Sequence, residues 1–470
     1  MPAAIAASFC AILIGGLFWL DRGEKAKISM ANWIPVVWLC IVCSRSMGQW
    51  LNIGLPYESV DQVMDGSPVD RMVYTCLLAI GLVVLLHRTR QVGKLLQANV
   101  PILLFFLYCA LSFLWSDFPA LAFKRWIKAL GDLAMVLVVL TDHDPLAAFK
   151  RVLARLAYVL IPLSVLFIKY FPNIGMSYNF WTGSPVYTGV TSNKNTLGAI
   201  CLCFGLAALW RFVTAYKNKE LNGRTRQLIA SAIVLVMVLR LFQLMNSMTS
   251  FLCFLMASFL ILATNTRTVS RMPVVVHLQM VAILTVSVSV LFLGFSPGVL
   301  RAIGRNPTLT DRTDLWAQLL KMVRNPFLGT GFESFWLGPR LEELWRVNTW
   351  RPNQAHNGYL EVYLNLGWVG IALLMVVLVA GYRTALRAWR NNDPTGSLRL
   401  AYFFVGLVFN FTEAAFFRMQ AAEWLFFLFA IVCVPTVSYS TTRLLAPSRY
   451  EPQSRVARQR SRFTEEVVRN

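Results

Sequence analysis

RPNQAHNGYLEVYLNLGWVG, Arg351 to Gly370, leaves a polar, proline-interrupted segment and runs directly into an apolar stretch that continues as IALLMVVLVAG. About twenty apolar residues cross the hydrocarbon core of a bilayer, so residues 358–381 read as a membrane span with a histidine at its entrance. Windows of the same kind recur along nearly the whole chain. Of the 470 residues 57% are hydrophobic and 14% charged, where a soluble domain has about 45–50% and about 25%. The composition excludes a soluble fold and predicts an all-α, polytopic integral membrane protein of about 13 (12–14) transmembrane helices. These centre on 3–20, 32–50, 72–86, 100–115, 126–141, 153–169, 195–213, 228–245, 249–264, 273–294, 358–381, 399–416 and 421–437. The N-terminus lacks a basic n-region and a small-residue cleavage site, so the first stretch is expected to be a retained span and not a signal peptide.

Lys and Arg number 44 against 23 Asp and Glu, a formal charge of +21. The basic residues sit in short connections (HRTRQVGK, AYKNKELNGRTRQ, YRTALRAWR) and at the C-terminus, which is the signature of membrane topology and not of a nucleic-acid partner. An outside N-terminus puts most of this charge on the cytoplasmic side. Two external segments then exceed an ordinary connection, Phe171–Asn193 and a large periplasmic loop, 295–357, of about sixty residues. Long loops carry function, and the working surface is expected there. The expected organisation is a membrane domain over 1–437 containing that loop, followed by a basic, disordered cytoplasmic tail over 438–470 that can touch anionic headgroups. Within the loop, Leu315, Trp316, Leu319, Leu320 and Val323 recur at helical spacing, which predicts an amphipathic helix on the membrane face or over a cavity. Gly329 and Gly331 are expected to turn the chain back.

All nine cysteines fall in apolar segments, so neither a disulfide framework nor a redox role for Cys40-x-x-Cys43 is indicated. No carboxylate or histidine cluster suggests a metal, and no nucleotide-binding loop is present. No cofactor is expected.

Of four histidines, only His356 faces outside. Imidazole accepts a proton near neutral pH without special tuning, which makes His356 the candidate general base; equally, it can serve only to start the helix that Asn357 and Gly358 open. Arg312 lies in the first turn of the loop helix, where a cation opposes the helix dipole unless an anion sits there. The plain alternative is pairing with Asp311 or Asp314. Lys194, in YTGVTSNKNTLGAI, either snorkels to the headgroups or clamps a phosphate. Arg305 and Arg125 are weaker members of the same set. Arg240 lies inside VLVMVLRLFQLMN, where a charge costs about 2.5–3.5 kcal/mol and therefore faces a partner, a wet cavity or the interface.

The chain resembles the bacterial superfamily of O-antigen ligases and polysaccharide polymerases, in particular its exopolysaccharide-polymerase-like branch. The resemblance rests on the order and spacing of LFWLDRGEKAKISMANWIPVVWLCIVCSRSMGQWL, LSFLWSDFPALAFKR, YTGVTSNKNTLG, TDRTDLWAQLLKMVRNPFLGTGFESFW and AHNGYLEVYLNLGWVG. It implies a glycosyltransferase of the bacterial cytoplasmic (inner) membrane, its active site facing the periplasm, using an undecaprenyl-pyrophosphate-linked oligosaccharide as donor and an acceptor glycan. Arg312 and His356 match the superfamily's catalytic arginine and histidine, and Lys194 the basic residue of a K-N-x-L-G element. With Arg305, Arg240, Arg125 and Asn357, Lys194 completes the expected substrate-binding set. One departure stands out, because Met248 in NSMTSF occupies a position where members often carry a cation.

On this reading Arg312 and Lys194 hold the pyrophosphate while His356 takes the proton of an attacking sugar hydroxyl in a single inverting displacement, without metal or nucleotide sugar. A chain-length regulator and a flippase are the expected protein partners. A ligase that passes glycan to lipid A core or a protein is the near alternative. A glycan transporter is the distant one, for which discontinuous spans and inverted repeats would speak.

Overall fold

The computed structural model describes residues 2–22, 28–53, 67–178, 183–220, 222–245, 247–266, 269, 272–292, 309–348, 350–418 and 421–434. Helices α1 (Ala3–Leu20), α2 (Trp33–Val42), α3 (Met47–Leu51), α4 (Pro68–His87), α5 (Thr89–Ala98), α6 (Val100–Leu111), α7 (Pro119–Leu140) and α8 (Pro145–Tyr170) form the first half. A short antiparallel hairpin follows, β1 (Met176–Tyr178) and β2 (Pro185–Tyr187), with Ser177 opposite Val186. Then come α9 (Lys194–Lys217), α10 (Arg224–Met245), α11 (Met248–Thr264), α12 (Pro273–Phe292), α13 (Leu309–Lys321), α14 (Gly338–Val347), α15 (Gly358–Arg390), α16 (Gly396–Phe409) and α17 (Ala422–Ile431).

A helix stands in every stretch where hydropathy predicts one, though several are shorter than a full span. Among the described residues six helices are long and apolar enough to cross a membrane, or seven if α5 and α6, bent by 90°, count as one. Three of the shorter or more polar stretches have local causes. The stretch 32–50 is interrupted at Cys43–Ser46, where Ser46 and Gln49 form a capping box that starts α3. The stretch 399–416 stops at Phe409, because Asn410 Oδ1 accepts from the N–H groups of Ala415 and Phe416 and holds a non-helical turn. Helix α7 carries Lys124, Arg125, Lys128 and Asp132, too much charge for a lipid-facing span.

The core lies around α8, α9, α16 and α17, whose large side chains (Trp210, Phe204, Phe404, Phe426) are fully buried. Peripheral helices leave apolar side chains outside, among them Ile12 on α1 and Leu86 on α4, each 70% exposed. That arrangement suits a bilayer and would be costly in water. The molecule is a multi-pass helical membrane protein.

Helix α15 is broken inside. Gly367 has φ +64° and ψ −163°, and the turn over 326–331 fills the break. Thr330 and Gly331 N–H donate to the carbonyls of Leu364 and Asn365, while Trp368 and Val369 N–H donate to those of Pro326 and Phe327. Gly329 and Gly331 turn the chain there with φ +70° and +95°, as the sequence suggests. Irregular backbone is tolerated at membrane depth only when its polar groups are paired within the protein, and here they are.

The helix expected in the large loop exists as α13, but its apolar face meets protein. Leu315 and Leu319 pack with Phe335, Trp336, Leu341 and Leu344 into a separate small core, while Leu320 is 51% exposed. Residues 295–308 of that loop and the tail over 438–470 lie outside the described residues.

Candidate functional site

Three helix ends meet at one end of the bundle. Helix α9 starts at Lys194, with Asn193 Oδ1 accepting from Thr196 N–H. Helix α15 starts after Asn357, whose Oδ1 accepts from the N–H groups of Tyr359 and Leu360 at 3.0 Å each. The turn after α16 is pinned to that start by Gly358 N–H, which donates to the carbonyls of Asn410 and Glu413. A side chain at 358 would put its Cβ 1.9 Å from Asn410 Oδ1, so the close approach requires glycine.

This convergence organises a cluster around the Glu413 carboxylate. His356 Nδ1 lies 3.1 Å from Oε2, Asn195 Nδ2 donates to Oε1 at 3.1 Å, and Arg312 Nη2 stands 3.8 Å from Oε1. Arg312 Nη1 also donates to the Thr412 carbonyl at 2.7 Å. The Gln354 amide nitrogen lies 3.2 Å from the same Nδ1; a proton on Nδ1, facing the carboxylate, would leave the lone pair on Nε2. Arg418 in turn donates to Gln354 Oε1. His356 sits at φ 49°, a left-handed conformation that costs a non-glycine residue about 1 kcal/mol or more. Its side chain is 20% exposed and that of Arg312 29%, so both remain reachable.

Beside the cluster opens a cavity of about 600 Å³. Lys194, Asn195, Gln354, Glu413 and Arg418 form its wall near the cluster, and Trp38, Tyr74, Lys128, Asp132 and Glu423 belong to the wall as well. Arg312 and His356 reach Glu413 without being part of the wall. Arg45 fixes neighbouring connections, donating to the carbonyls of Thr191 and Ile174 at 3.1 and 2.5 Å; burial holds its guanidinium below the usual arginine range.

The residues singled out from sequence therefore separate. His356 and Arg312 come together on Glu413, Lys194 lines the cavity beside them, and Arg312 pairs across the fold with Glu413 where a local partner was the plain alternative. Asn357 uses its side-chain oxygen to cap α15. Arg125 is fully buried and donates from Nη1 to the Glu333 carbonyl at 2.5 Å, far from a ligand-facing posture. Arg240 is exposed and bonds Gln243 Oε1 at 3.2 Å, outside the cavity wall. Arg305 lies outside the described residues. At the position of the absent cation, Met248 starts α11, and Ser247 and Ser250 press against Gly198, one turn into α9 from Lys194. Among the described residues no group of three or more His, Cys, Asp and Glu is placed to hold a metal ion.

Glu413, Asn195, Gln354 and Arg418 escape sequence reasoning. For Glu413 a signal existed: NFTEAAFFRM falls within an apolar window, and a carboxylate at membrane depth is a candidate functional group by default.

Residues 190–375 match the family model described as O-antigen ligase, a region that holds Lys194, Arg312, His356 and the broken α15. The chain is also 24% identical over 299 residues to the exopolysaccharide production protein ExoQ of Rhizobium meliloti (strain 1021), covering 62% of this chain and 66% of that protein. The match thus spans just under two thirds of the relative's length. Together with the helical membrane fold and the spacing of its motifs, these likenesses make this chain similar to the O-antigen ligase and polysaccharide polymerase family.

Proposed function

We propose that the protein is a glycosyltransferase of the bacterial inner membrane that polymerises glycan carried on undecaprenyl pyrophosphate, at the periplasmic face. The observation that carries this reading is the placement of His356, Arg312 and Asn195 on one carboxylate, Glu413, at a bundle end where lipid-borne and water-borne substrates can meet.

The leaving group is a diphosphate whose charge grows as its bond to the anomeric carbon breaks. Arg312 and Lys194 supply fixed positive charge there, and Arg312 can present its guanidinium as a fork. An acceptor hydroxyl attacks the anomeric carbon as the carbon–oxygen bond to the phosphate breaks; the electron pair leaves with the polyprenyl diphosphate and the hydroxyl proton passes to His356 Nε2. Glu413 holds the imidazole and balances the imidazolium. One displacement inverts the anomeric centre. The reaction so written calls on no metal, cofactor or nucleotide sugar, and a flippase and a chain-length regulator would act before and alongside it.

Transfer to lipid A core or to a protein uses the same chemistry. Polymerisation is favoured by the likeness to a protein named for exopolysaccharide production. The broken α15 invites a transporter reading, since transporters coordinate ions with unwound backbone. Here, however, the freed carbonyls of Leu364, Asn365 and Leu366 already accept from Thr330, Gly331 and Tyr108 within the protein.

The deciding experiment reconstitutes purified protein in liposomes with lipid-linked repeats. Lengthening without ATP is expected; absence of lengthening, or labelling of a cysteine at position 356 only from the cytosol, would sink the proposal.

A further inference from the structure

Part of the cavity wall has no role in the reaction just described. There α7 contributes Lys128 and Asp132, one turn apart, α2 contributes Trp38, and α17 contributes Glu423. Trp38 Nε1–H donates to Asp132 Oδ1 at 2.9 Å. The contact is fixed by packing, because a Cβ at Gly131 would stand 2.2 Å from the Trp38 ring. Asp132 is 2% exposed. Glu423 begins an otherwise apolar helix, AEWLFFLFAI, and lines the same cavity. A carboxylate kept at such depth faces a partner or a wet cavity.

Several other charges around this space are engaged. Asp70 accepts from Gly48 N–H, Ser67 N–H and Ser67 Oγ–H, Glu413 serves the cluster, and Lys128 has a partner of its own. Besides Lys194, Glu333 and Arg418, the wall thus holds a pair of carboxyl groups, Asp132 and Glu423, in a space of about 600 Å³, an ordinary size for a small-molecule site. Carboxylates repel a phosphate and accept from hydroxyl groups.

We propose that Asp132 and Glu423 form a subsite for an uncharged sugar residue of the glycan, its hydroxyl groups donating to the two carboxylates. The inference rests on the glycosyl-transfer reading and adds to it a charge class and residues outside the Glu413 cluster. The diphosphate stays with Arg312 and Lys194, and the sugar chain turns into the membrane domain.

The test uses the full-length protein in liposomes, with the oligosaccharide that mild acid releases from the source bacterium's lipid-linked repeats as probe. The oligosaccharide is expected to bind the wild type, and to bind Asp132→Asn and Glu423→Gln about tenfold more weakly, the loss of about one hydrogen bond. In turnover both variants should raise KM for the repeat with kcat held within a few-fold. Ser44→Cys, on the same cavity wall, gives a measurement that needs neither acid variant: the oligosaccharide should slow its alkylation. Absent protection, unchanged binding in both variants, a fall in kcat with KM unmoved, or displacement of the oligosaccharide by inorganic diphosphate would each overturn the subsite. Its failure is separable from that of the transferase reading. Wild type that lengthens no repeat yet binds the oligosaccharide with these sensitivities ends the reaction and keeps the subsite, whereas variants that turn over and bind normally do the reverse.

Discussion

His356 Nδ1 lies 3.1 Å from Glu413 Oε2 although 57 residues separate the two in sequence. One residue belongs to the approach to α15 and the other to the turn after α16, so the pair exists only if both helices end where they do. The Gly358 N–H bonds to the Asn410 and Glu413 carbonyls enforce that condition. A single carboxylate then faces one candidate catalytic group, His356, and pairs with another, Arg312.

His356→Asn is the cleanest test of the base. Asparagine tolerates the left-handed backbone that position 356 adopts, so the fold should survive while proton acceptance is lost. Repeat lengthening in liposomes should fall by about 10²–10⁴-fold, with an unchanged elution profile in detergent. Activity within a few-fold of wild type would remove His356 from the chemistry.

For Glu413 the informative change is to glutamine, which keeps an acceptor for the imidazole and loses the charge opposite Arg312. A drop in kcat smaller than that of His356→Asn is expected. Arg312→Lys keeps charge and gives up the fork that now spans Thr412 and Glu413, and it should act mainly through weaker binding of the lipid-linked donor. Equal and full activity in both variants would dissolve the cluster's proposed role.

Much of this arrangement is legible in the sequence, and the illegible part has a physical cause. Apolar windows locate the helices because hydrophobic length is a local property. The capping signals that end α16 at Phe409 and interrupt 32–50 are also local, yet hydropathy overrides them when the flanking residues are apolar. Arg312 and His356 are found through residue type and motif. Glu413 is not, since its meaning comes from partners far along the chain. The same limit misreads Arg125: a guanidinium near the end of a predicted span looks available, and only packing shows it turned toward the Glu333 carbonyl.

Arg125 and Arg240 accordingly should behave oppositely to ligand-binding cations. Arg125→Met removes the donor to a carbonyl from a fully buried site, which should cost about 1–3 kcal/mol. The loss would appear as a lower melting temperature in detergent, with KM for the donor unmoved. Arg240→Ala, on an exposed face, should change neither. A raised donor KM in either variant, at normal stability, would return that residue to the binding set.

Gly367 carries the sharpest structural prediction. Its φ of +64° with ψ of −163° belongs to a region that side chains essentially do not enter, and an added Cβ would sit 2.3 Å from the Phe327 carbonyl carbon and oxygen. Gly367→Ala must therefore expel the 326–331 segment or straighten α15, and either move leaves backbone donors and acceptors unpaired in the membrane domain. A loss of roughly 3 kcal/mol or more is expected, visible as poor recovery of folded protein. Because the same segment leads on to Trp336, which donates to Glu361 at 2.8 Å, and Glu361 in turn accepts from Ala355 N–H at 2.6 Å, the damage should reach His356. Any folded fraction of Gly367→Ala should thus be slow in turnover as well as unstable, and a variant that melts like wild type and lengthens repeats at the wild-type rate would show that the break in α15 is not needed to hold the site.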